Sequence, residues 1–366
     1  MSSLDQISPT FVSTFMRQIK MLQMVGVDIF DDTNTSFIRK HGRLILFTGM
    51  ILFMFVGLIL YIVKRKEVDA SFLDVVKAIP SILVLIQSMI KIIVVTIKRN
   101  KIKQLFLAIG KLWKIDYENN AKNLEMHSWI RRLKLWDNVD DDDDDDDDET
   151  YKKSNILCII FILGVLCQMC IYTPCDYLLL HLSFSIAALL SLVQIDLLSL
   201  KGTNLEDLDF YWNDNCEDIK SIVKTHQMLL SLAGRLNKIF KEIIFSQVYL
   251  SSVIICCYLF TAVVRLPLLI QYNIMPAQKH EICMLFISHQ GNRHSGIAYA
   301  AYQSPWYERS YKFRKYIAIL IVRAQKPIHL SALGFSDLTL VMFSKVISTT
   351  WSYLSLLNQM TKKLDL

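Results

Sequence analysis

Apolar residues in this chain are gathered into long runs and do not alternate with polar ones as they would along strands. A helix that crosses a membrane needs about 20 apolar residues, because it rises about 1.5 Å per residue. Runs of this size occupy residues 44–63, 78–97, 156–173, 177–200 and 243–264, and a further apolar-periodic segment follows at 330–359. The pattern therefore predicts an all-α membrane protein that crosses the bilayer several times.

Composition and charge agree with this interpretation and add an orientation. The chain is 53% apolar and 20% charged, whereas soluble domains carry about 25% charged residues. Lysine and arginine are concentrated in segments 1–43, 98–153, 201–243 and 309–326. If the chain crosses the bilayer back and forth between them, all four segments lie on the same side of the membrane. Because basic loops stay in the cytoplasm, we expect the N-terminus to lie there. The first 43 residues lack the pattern of a cleaved signal peptide, so we expect the first run to act as an uncleaved anchor.

This orientation requires one crossing more than the apolar runs supply. Five crossings from a cytoplasmic start end outside near residue 265, while the basic stretch 309–326 belongs inside. Residues 265–294 contain prolines and charged residues, and their uninterrupted apolar piece, Ile282–Ser288, is far too short to span. We therefore expect a sixth span that is degraded or partly missing.

An acidic low-complexity insertion occupies residues 137–150. Its nine consecutive aspartates, Asp140–Asp148, are followed by Glu149. Like charges repel, so we expect an unstructured, solvated segment within a cytoplasmic loop. The tract lacks the alternating ligands and the glycine of a calcium-binding loop.

No pattern in the sequence indicates catalysis or a bound metal. The eight histidines and eight cysteines show no metal-ligand spacing, and there is no nucleotide-binding loop. No grouping of serine, histidine and aspartate indicates a hydrolase. We therefore expect neither an enzyme nor a cofactor.

The last apolar segment carries many polar groups. Within Phe343–Met360, at about 100° per residue, one helical arc about 140° wide collects most of them. The arc consists of Lys345, Ser348, Thr349, Ser352, Ser355, Leu356, Gln359 and Met360. Because polar groups are costly in hydrocarbon, they face either a water-filled path or protein. The residues alone leave both alternatives open, since Ser and Thr also bond their own helix or a neighbouring one.

A series of short motifs follows in a fixed order between residues 295 and 360. These are Ala301-Tyr302, Trp306-Tyr307, Phe313-Arg314, Arg323-Ala324-Gln325-Lys326-Pro327, Gly334-Phe335 and Ser352-Tyr353. The series resembles the C-terminal signature of insect odorant receptors. The resemblance implies a seven-transmembrane-helix insect chemoreceptor fold with a cytoplasmic N-terminus, in a multi-pass protein of the plasma membrane. It also implies a ligand-gated, non-selective cation channel that forms a hetero-tetramer with the co-receptor Orco and detects small volatile odorants in olfactory neurons.

By the same resemblance, the last span of the family is divided into two parts. Residues 295–329 would form a cytoplasmic segment that anchors the subunits, and residues 330–366 the pore-lining helix with a short extracellular tail. The gate positions of the family match Leu356, Gln359 and Met360, while the other polar residues of the arc line the pore. The implied anchor residues are Trp306, Tyr307, Phe313, Arg314 and Tyr316, whose alternative role is packing within one subunit.

The resemblance further implies a ligand pocket between the outer halves of the spans, lined by aromatic and aliphatic side chains. The residues that suit such a pocket are Met89, Gln168, Met169, Tyr172, Tyr177, His181 and Phe184. Each of them also suits ordinary helix packing, so the sequence does not identify the odorant.

Two features depart from the family pattern and keep alternatives open. Most of the sixth span is absent, and the second outer loop is reduced to residues 173–176, so a truncated, non-functional odorant receptor is one alternative. A gustatory receptor of the same superfamily is another, because Ser352-Tyr353 and Gln359-Met360 also fit its terminal pattern. The motif at 323–327 favours the odorant branch. The opposite orientation disfavours a G-protein-coupled receptor, and the lack of paired interrupted spans disfavours a transporter.

Overall fold

The structure, a computed structural model of the chain, is built almost entirely of helices. It describes residues 7–30, 37–66, 72–113, 120–138, 155–202, 216–265, 294–326 and 328–364. Within these ranges the helices are α1 Pro9–Val25, α2 Phe37–Lys66, α3 Phe72–Leu112, α4 Asn120–Asn138, α5 Asn155–Leu198 and α6 Glu217–Arg265. They are followed by α7 (294–303), a 3₁₀ turn at Trp306–Glu308, α8 Tyr311–Ala324, strands β1 Ser331–Ala332 and β2 Ser336–Asp337, and α9 Leu340–Leu364. The all-α prediction is confirmed.

Four helices in the described part of the chain are long and apolar enough to cross a membrane. They contain the segments Gly42–Lys64, Ala78–Leu112, Gly164–Leu198 and Glu217–Phe260. In α2, many apolar side chains are uncovered, and Leu46 and Phe53 are both more than half exposed. A helix that is apolar on its uncovered sides is stable in lipid and not in water. The prediction of a protein with several membrane-spanning helices is thus confirmed.

Helix α5 corrects one prediction. The sequence predicts separate crossings at 156–173 and 177–200, joined by an outer loop at 173–176, but the structure has one unbroken helix of 44 residues. Pro174 lies inside this helix, where a proline removes one helical hydrogen bond. Asp176, two residues later, gains a charged partner from α3. Tertiary contacts therefore outweigh the local turn signal, and the prediction of two crossings is wrong.

Helix α4 runs antiparallel to α5. Lys122, near the start of α4, forms an ion pair with Asp196 near the end of α5. Further along α4, Trp129 contacts Phe184, with ring centroids 5.7 Å apart.

Gln87 and Lys91 of α3 pair with Tyr172 and Asp176 of α5, so α3 and α5 are parallel, and the end of α3 and the start of α5 lie at opposite ends of the bundle. The prediction that residues 98–153 lie on one cytoplasmic side is therefore wrong. The predicted acidic insertion follows α4, and all but its first two residues lie outside the described residues. The predicted sixth-span region also lies outside them, apart from its two end residues.

Helix α6 runs without a break from the basic segment before residue 243 into the fifth apolar run. It is a single helix of 49 residues. Its buried face includes Leu229 and Leu236, which are two turns apart. Helix α3 packs along α6, and its Lys98 Nζ lies 2.9 Å from the Ile239 carbonyl oxygen and 2.5 Å from Glu242 Oε2. Helices α3, α5 and α6 pack against one another at the centre of the bundle, and α1 and α4 cover α5.

The N-terminal segment contains a packed helix. Phe11 and Phe15 of α1 are fully buried. Both contact Phe106 of α3, with ring centroids 4.9 and 5.0 Å apart, and Phe11 also contacts Trp113 at 5.3 Å. This segment was predicted to lie in the cytoplasm, but no helix was predicted in it. The aromatic contacts attach α1 to α3, and α1 also packs against α5.

The segment predicted as the last helix begins as a hairpin. Strand β1 pairs antiparallel with β2, and the turn between them passes through Leu333 and Gly334 with φ of 54° and 84°. Glycine tolerates this left-handed region, which leucine adopts only at a cost. Asn237 of α6 accepts the Ser331 N–H at 3.0 Å and donates to Ser331 Oγ at 3.1 Å. The helix therefore starts only at Leu340.

A histidine pair joins α6 to α7. The Nε2 atoms of His226 and His294 are 2.9 Å apart, and the two rings are stacked with centroids 5.1 Å apart. Both side chains are buried. Burial lowers the pKa of His294 from 6.5 to about 4, with further contributions from His226 and Arg323. His294 lies outside the membrane-spanning segments.

This depressed pKa predicts a pH dependence of stability. Below about pH 6.5 the unfolded chain takes up a proton at His294, whereas the folded chain stays neutral there until about pH 4. Stability should therefore fall as the pH drops through this window, by up to about 1.4 kcal/mol per pH unit. The melting temperature of the purified protein in detergent, followed from about pH 7.5 to about pH 5, measures the effect.

Two histidine variants separate this effect from general acid sensitivity. His294→Gln should make the pH profile less steep, while His127→Gln, at an exposed position in α4, should leave it unchanged. A His294→Gln profile as steep as that of the unsubstituted protein would contradict the assignment.

Candidate functional site

An ion pair lies inside the apolar helix bundle. Lys91 Nζ of α3 is 2.7 Å from Asp176 Oδ2 of α5, and the lysine side chain is fully buried while the aspartate side chain is 10% exposed. The ammonium also lies over the Tyr172 ring, 3.1 Å from its centroid. Ionisable groups within a membrane are costly unless they are paired. The carboxylate and the ring face together replace the solvation that the ammonium loses.

Tyr172 extends this site to a third helix. Its hydroxyl donates to Gln87 Oε1 at 2.7 Å and accepts from Gln247 Nε2 of α6 at 3.1 Å. Gln87 Nε2 in turn lies 3.3 Å from both the Ser246 carbonyl oxygen and Ser251 Oγ. All five side chains are buried. A continuous polar network therefore joins α3, α5 and α6, and we call it, together with the ion pair, the intramembrane network.

Lys91 and Asp176 were not predicted to form a site, although the sequence contains a signal for one. Each is a lone ionisable residue within or beside an apolar run, and the two have opposite charges. Such residues indicate a function or a mutual partner by default. Gln247 carries no comparable signal, because a single glutamine on a long helix is usually solvent-exposed or packed.

The residues predicted to contact a ligand are dispersed along α5 and α3. Tyr172, His181 and Phe184 are buried, Met89, Gln168 and Tyr177 are half-buried, and Met169 is exposed. Tyr172 belongs to the intramembrane network. His181 packs edge-on against Phe15 of α1, with centroids 5.4 Å apart, and Phe184 contacts Trp129 of α4. The last two lie where α1 and α4 cover α5, away from the network.

The polar arc of α9 faces away from the rest of the subunit. Its described side chains, those of Lys345, Ser348, Thr349, Ser352, Ser355, Leu356 and Gln359, are all exposed. The side chain of Met360 lies outside the described ones. Thr350, on another side of the helix, is only 3% exposed, and α9 packs against α6.

The hydroxyls of the arc also bond their own helix. Thr349 Oγ1 donates to the Lys345 carbonyl oxygen at 2.8 Å, and Ser352 Oγ donates to that of Ser348 at 3.1 Å. This is one of the two alternatives that the sequence leaves open. A hydroxyl that donates internally keeps its acceptor lone pairs for water or a cation, so the second alternative stays compatible with the geometry.

The predicted anchor residues divide into inward and outward groups. Phe313 is 1% exposed, and the Arg309 guanidinium carbon lies 4.3 Å from its ring centroid. Arg314 Nη2 donates to the Tyr307 carbonyl oxygen at 2.7 Å, and Trp306 and Tyr316 are half-buried. Only the Tyr307 side chain is largely exposed, at 60%. Phe313 therefore packs within its own subunit.

A largely apolar face of the C-terminal region is uncovered beside these residues, with the exposed Lys315 between its apolar side chains. Tyr311, Ile319 and Val322 of α8 are 75%, 58% and 62% exposed. They recur at helical spacing, so they lie on one side of α8. We call this the α8 face. The sequence analysis did not select it, because aliphatic residues on a short helix usually indicate its buried side.

Comparison with known proteins identifies the family. The family model described as 7tm Odorant receptor matches residues 147–351. The chain belongs to this insect odorant receptor family. Odorant receptor 49a of Drosophila melanogaster is 26% identical over 160 residues, which cover 41% of this chain and 39% of that receptor. Odorant receptor 10 of Aedes albopictus is 23% identical over 192 residues, which cover 50% and 51%. The chain thus spans between 39% and 51% of the length of these relatives.

Solved structures of the insect olfactory receptor OR5 from Machilis hrabei share the fold. The complex with eugenol matches with a TM-score of 0.74 at 12% identity, covering 94% of this chain and 97% of that one. The other OR5 structure matches with a TM-score of 0.73 at 11% identity. At such identity the likeness concerns the fold alone, and it confirms the predicted insect chemoreceptor fold.

The intramembrane ion pair generates a prediction. Lys91→Met leaves the Asp176 carboxylate buried without its ammonium, and removing one partner of a buried pair costs about 3–5 kcal/mol. We expect a severe loss of surface protein. Replacing both partners, Lys91→Met with Asp176→Leu, should restore much of it, because neither charge is left buried. Surface biotinylation together with the melting temperature of the purified protein measures both effects.

Lys101→Met, at an exposed position of α3, is the matched control and should behave as the unsubstituted receptor. A double variant less stable than either single variant would show that the pair does not act as a unit.

Proposed function

We propose that this chain is the odorant-sensing subunit of a ligand-gated, non-selective cation channel. In this proposal it assembles with the co-receptor Orco as a hetero-tetramer in the plasma membrane of insect olfactory neurons. The observation that carries the proposal is the polar arc of α9, which is exposed on the side away from α6. The proposal assigns the chain no enzymatic activity, cofactor or metal.

The solvation of the arc supports a pore. In an isolated subunit Lys345, Ser352 and Gln359 would face lipid, where polar and charged side chains are costly. Several subunits around one axis place the arc against water, which removes this cost. Hydroxyls and amides then offer oxygen atoms to passing cations.

An apolar constriction on the same arc supplies a gate. Leu356 is one turn from Ser352 and, like it, is exposed. A ring of such side chains, one from each subunit, excludes water from a narrow path and so blocks ions. In keeping with the family resemblance, we assign the gate to Leu356, Gln359 and Met360, and the lining to the other polar residues of the arc.

We place the odorant in the outer half of the bundle, near Tyr172 and Gln168. These two residues are one turn apart on the same face of α5. Met89, Met169 and Tyr177 lie at similar depth, because Gln87 and Lys91 of α3 pair with residues 172 and 176. OR5 of Machilis hrabei was solved in complex with eugenol, and we propose that the ligand here is likewise a small organic molecule. The burial of His181 and Phe184 against α1 and α4 favours a structural role for them.

The gate assignment generates a prediction for permeation. Leu356→Ser should wet the constriction and stabilise the open state, raising the resting current several-fold in cells that co-express Orco. Odorant potency should shift without being abolished. Whole-cell current, normalised to surface protein, is the measurement.

Cysteine accessibility tests the orientation of the arc independently. Cysteines introduced at 352, 356 and 359 should react with water-soluble thiol reagents and block the current. A cysteine at the buried Thr350 position is the control and should be silent. If the cysteine at 350 reacted and those at the other three positions did not, our assignment of the pore face of α9 would be wrong.

The α8 face generates a prediction for assembly. Ile319→Asp or Val322→Asp places a charge on an apolar surface that we assign to the contact with Orco, so co-purification with Orco should fall strongly. Phe313→Ala should instead lower the melting temperature of the subunit itself, by the equivalent of about 3–5 kcal/mol. Pull-down yield and thermal unfolding distinguish the two outcomes.

Met16→Asp, at a 41% exposed apolar position of α1, controls for a new surface charge elsewhere. Normal co-purification of both α8 variants would overturn the assignment of this face.

A further inference from the structure

Arg309, at the start of the C-terminal region, makes contacts with two helix ends that are distant in sequence. Its Nη1 and Nη2 donate to the two carboxylate oxygens of Asp218 in α6, at 2.9 and 3.3 Å. Nη1 also donates to the Lys201 carbonyl oxygen, just after α5, at 3.1 Å. The arginine side chain is only 8% exposed, whereas that of Asp218 is 40% exposed. This paired geometry uses the planar guanidinium in a way that a lysine cannot reproduce.

The same arginine also organises the first turn of α8. Its carbonyl oxygen accepts from Arg314 Nε at 3.0 Å, and its guanidinium lies against the Phe313 ring. Ser310, the next residue, caps α8 by accepting the Phe313 N–H at 3.3 Å. Arg309 thus joins the first turn of α8 to the ends of α5 and α6, beside a second contact of 3.6 Å between Ser310 Oγ and Cys216 Sγ.

A second tie holds the hairpin that follows α8 to α6. Asn237 bonds both the backbone and the side chain of Ser331 in β1, and β1 leads through the hairpin to α9. Asp218 and Asn237 are about 28 Å apart along α6 at a rise of about 1.5 Å per residue. Helix α6 is thus attached at two points: through Asp218 to the residue just before α8, and through Asn237 to the hairpin that follows α8.

We infer that Arg309 is a positioning residue that fixes α8 to the ends of α5 and α6. We also infer that displacement of α6 reaches the pore helix α9 through this tie and the Asn237 tie, in addition to the direct packing of α9 against α6. The inference deepens the proposed channel function and rests on it for the second part. The intramembrane network attaches α6 to the helices that carry the candidate ligand residues, through Gln247 and Ser251. A ligand that alters the network therefore acts on α6, the helix that holds α8 and the hairpin that precede the pore helix α9.

Hydrogen exchange tests the tie without any current. In the purified subunit, Arg309→Met and Asp218→Asn should each increase exchange at the backbone amides of residues 309–314. The charge exchange, Arg309→Asp with Asp218→Arg, should restore part of the protection. Lys312→Met and Glu217→Gln, at neighbouring exposed positions, are the matched controls and should leave exchange unchanged. Unchanged exchange in Arg309→Met would overturn the tie.

Odorant concentration–response curves test the coupling. In cells co-expressing Orco, with current normalised to surface protein, Arg309→Met should raise the half-maximal odorant concentration roughly tenfold, within the usual range of coupling between sites. Arg309→Lys keeps the charge but loses the paired hydrogen bonds, so its half-maximal odorant concentration should lie between those of the unsubstituted receptor and Arg309→Met. Normal potency despite faster exchange would overturn the coupling. Faster exchange together with an unsubstituted receptor that passes no odorant-evoked current would support the tie and sink the proposed channel function.

Discussion

The arrangement of the helices depends on one electrostatic constraint, a lysine and an aspartate that share an interior from which water is excluded. Lys91 and Asp176 compensate each other's desolvation only when α3 and α5 stand at one relative height and rotation. The contact between Gln87 and Tyr172 repeats the same offset one turn away, so the two helices are parallel and in fixed register. Gln247 extends the register to α6. Apolar packing alone distinguishes such registers weakly in lipid.

Run length and helical period predict the membrane helices well, because in hydrocarbon each backbone group must bond within its own helix. They fail where local signals compete with distant contacts. Pro174 and Asp176 resemble a turn, and the partner that keeps Asp176 inside α5 is on another helix. The hairpin was missed for a different reason: strands of two residues are too short to show an alternating pattern.

The candidate site was predictable only where it lies on one helix. The polar arc of α9 follows from helical geometry, and its exposure agrees with it. Phe313 was assigned to an interface by the family resemblance, yet it packs against Arg309 inside its own subunit. The Arg309–Asp218 pair joins residues far apart in sequence, and no local pattern marks it.

The proline inside α5 has a mechanical consequence. A proline at position 174 deprives the Cys170 carbonyl of its helix-internal donor, so the backbone there lacks one rung of its hydrogen-bond ladder. Kinks in long helices concentrate at such points. Tyr172 and Asp176 lie on either side of it. The hydrogen-bond ladder of α5 is therefore weakened at the level of the intramembrane network, and bending there would tilt its two halves without requiring either half to unfold.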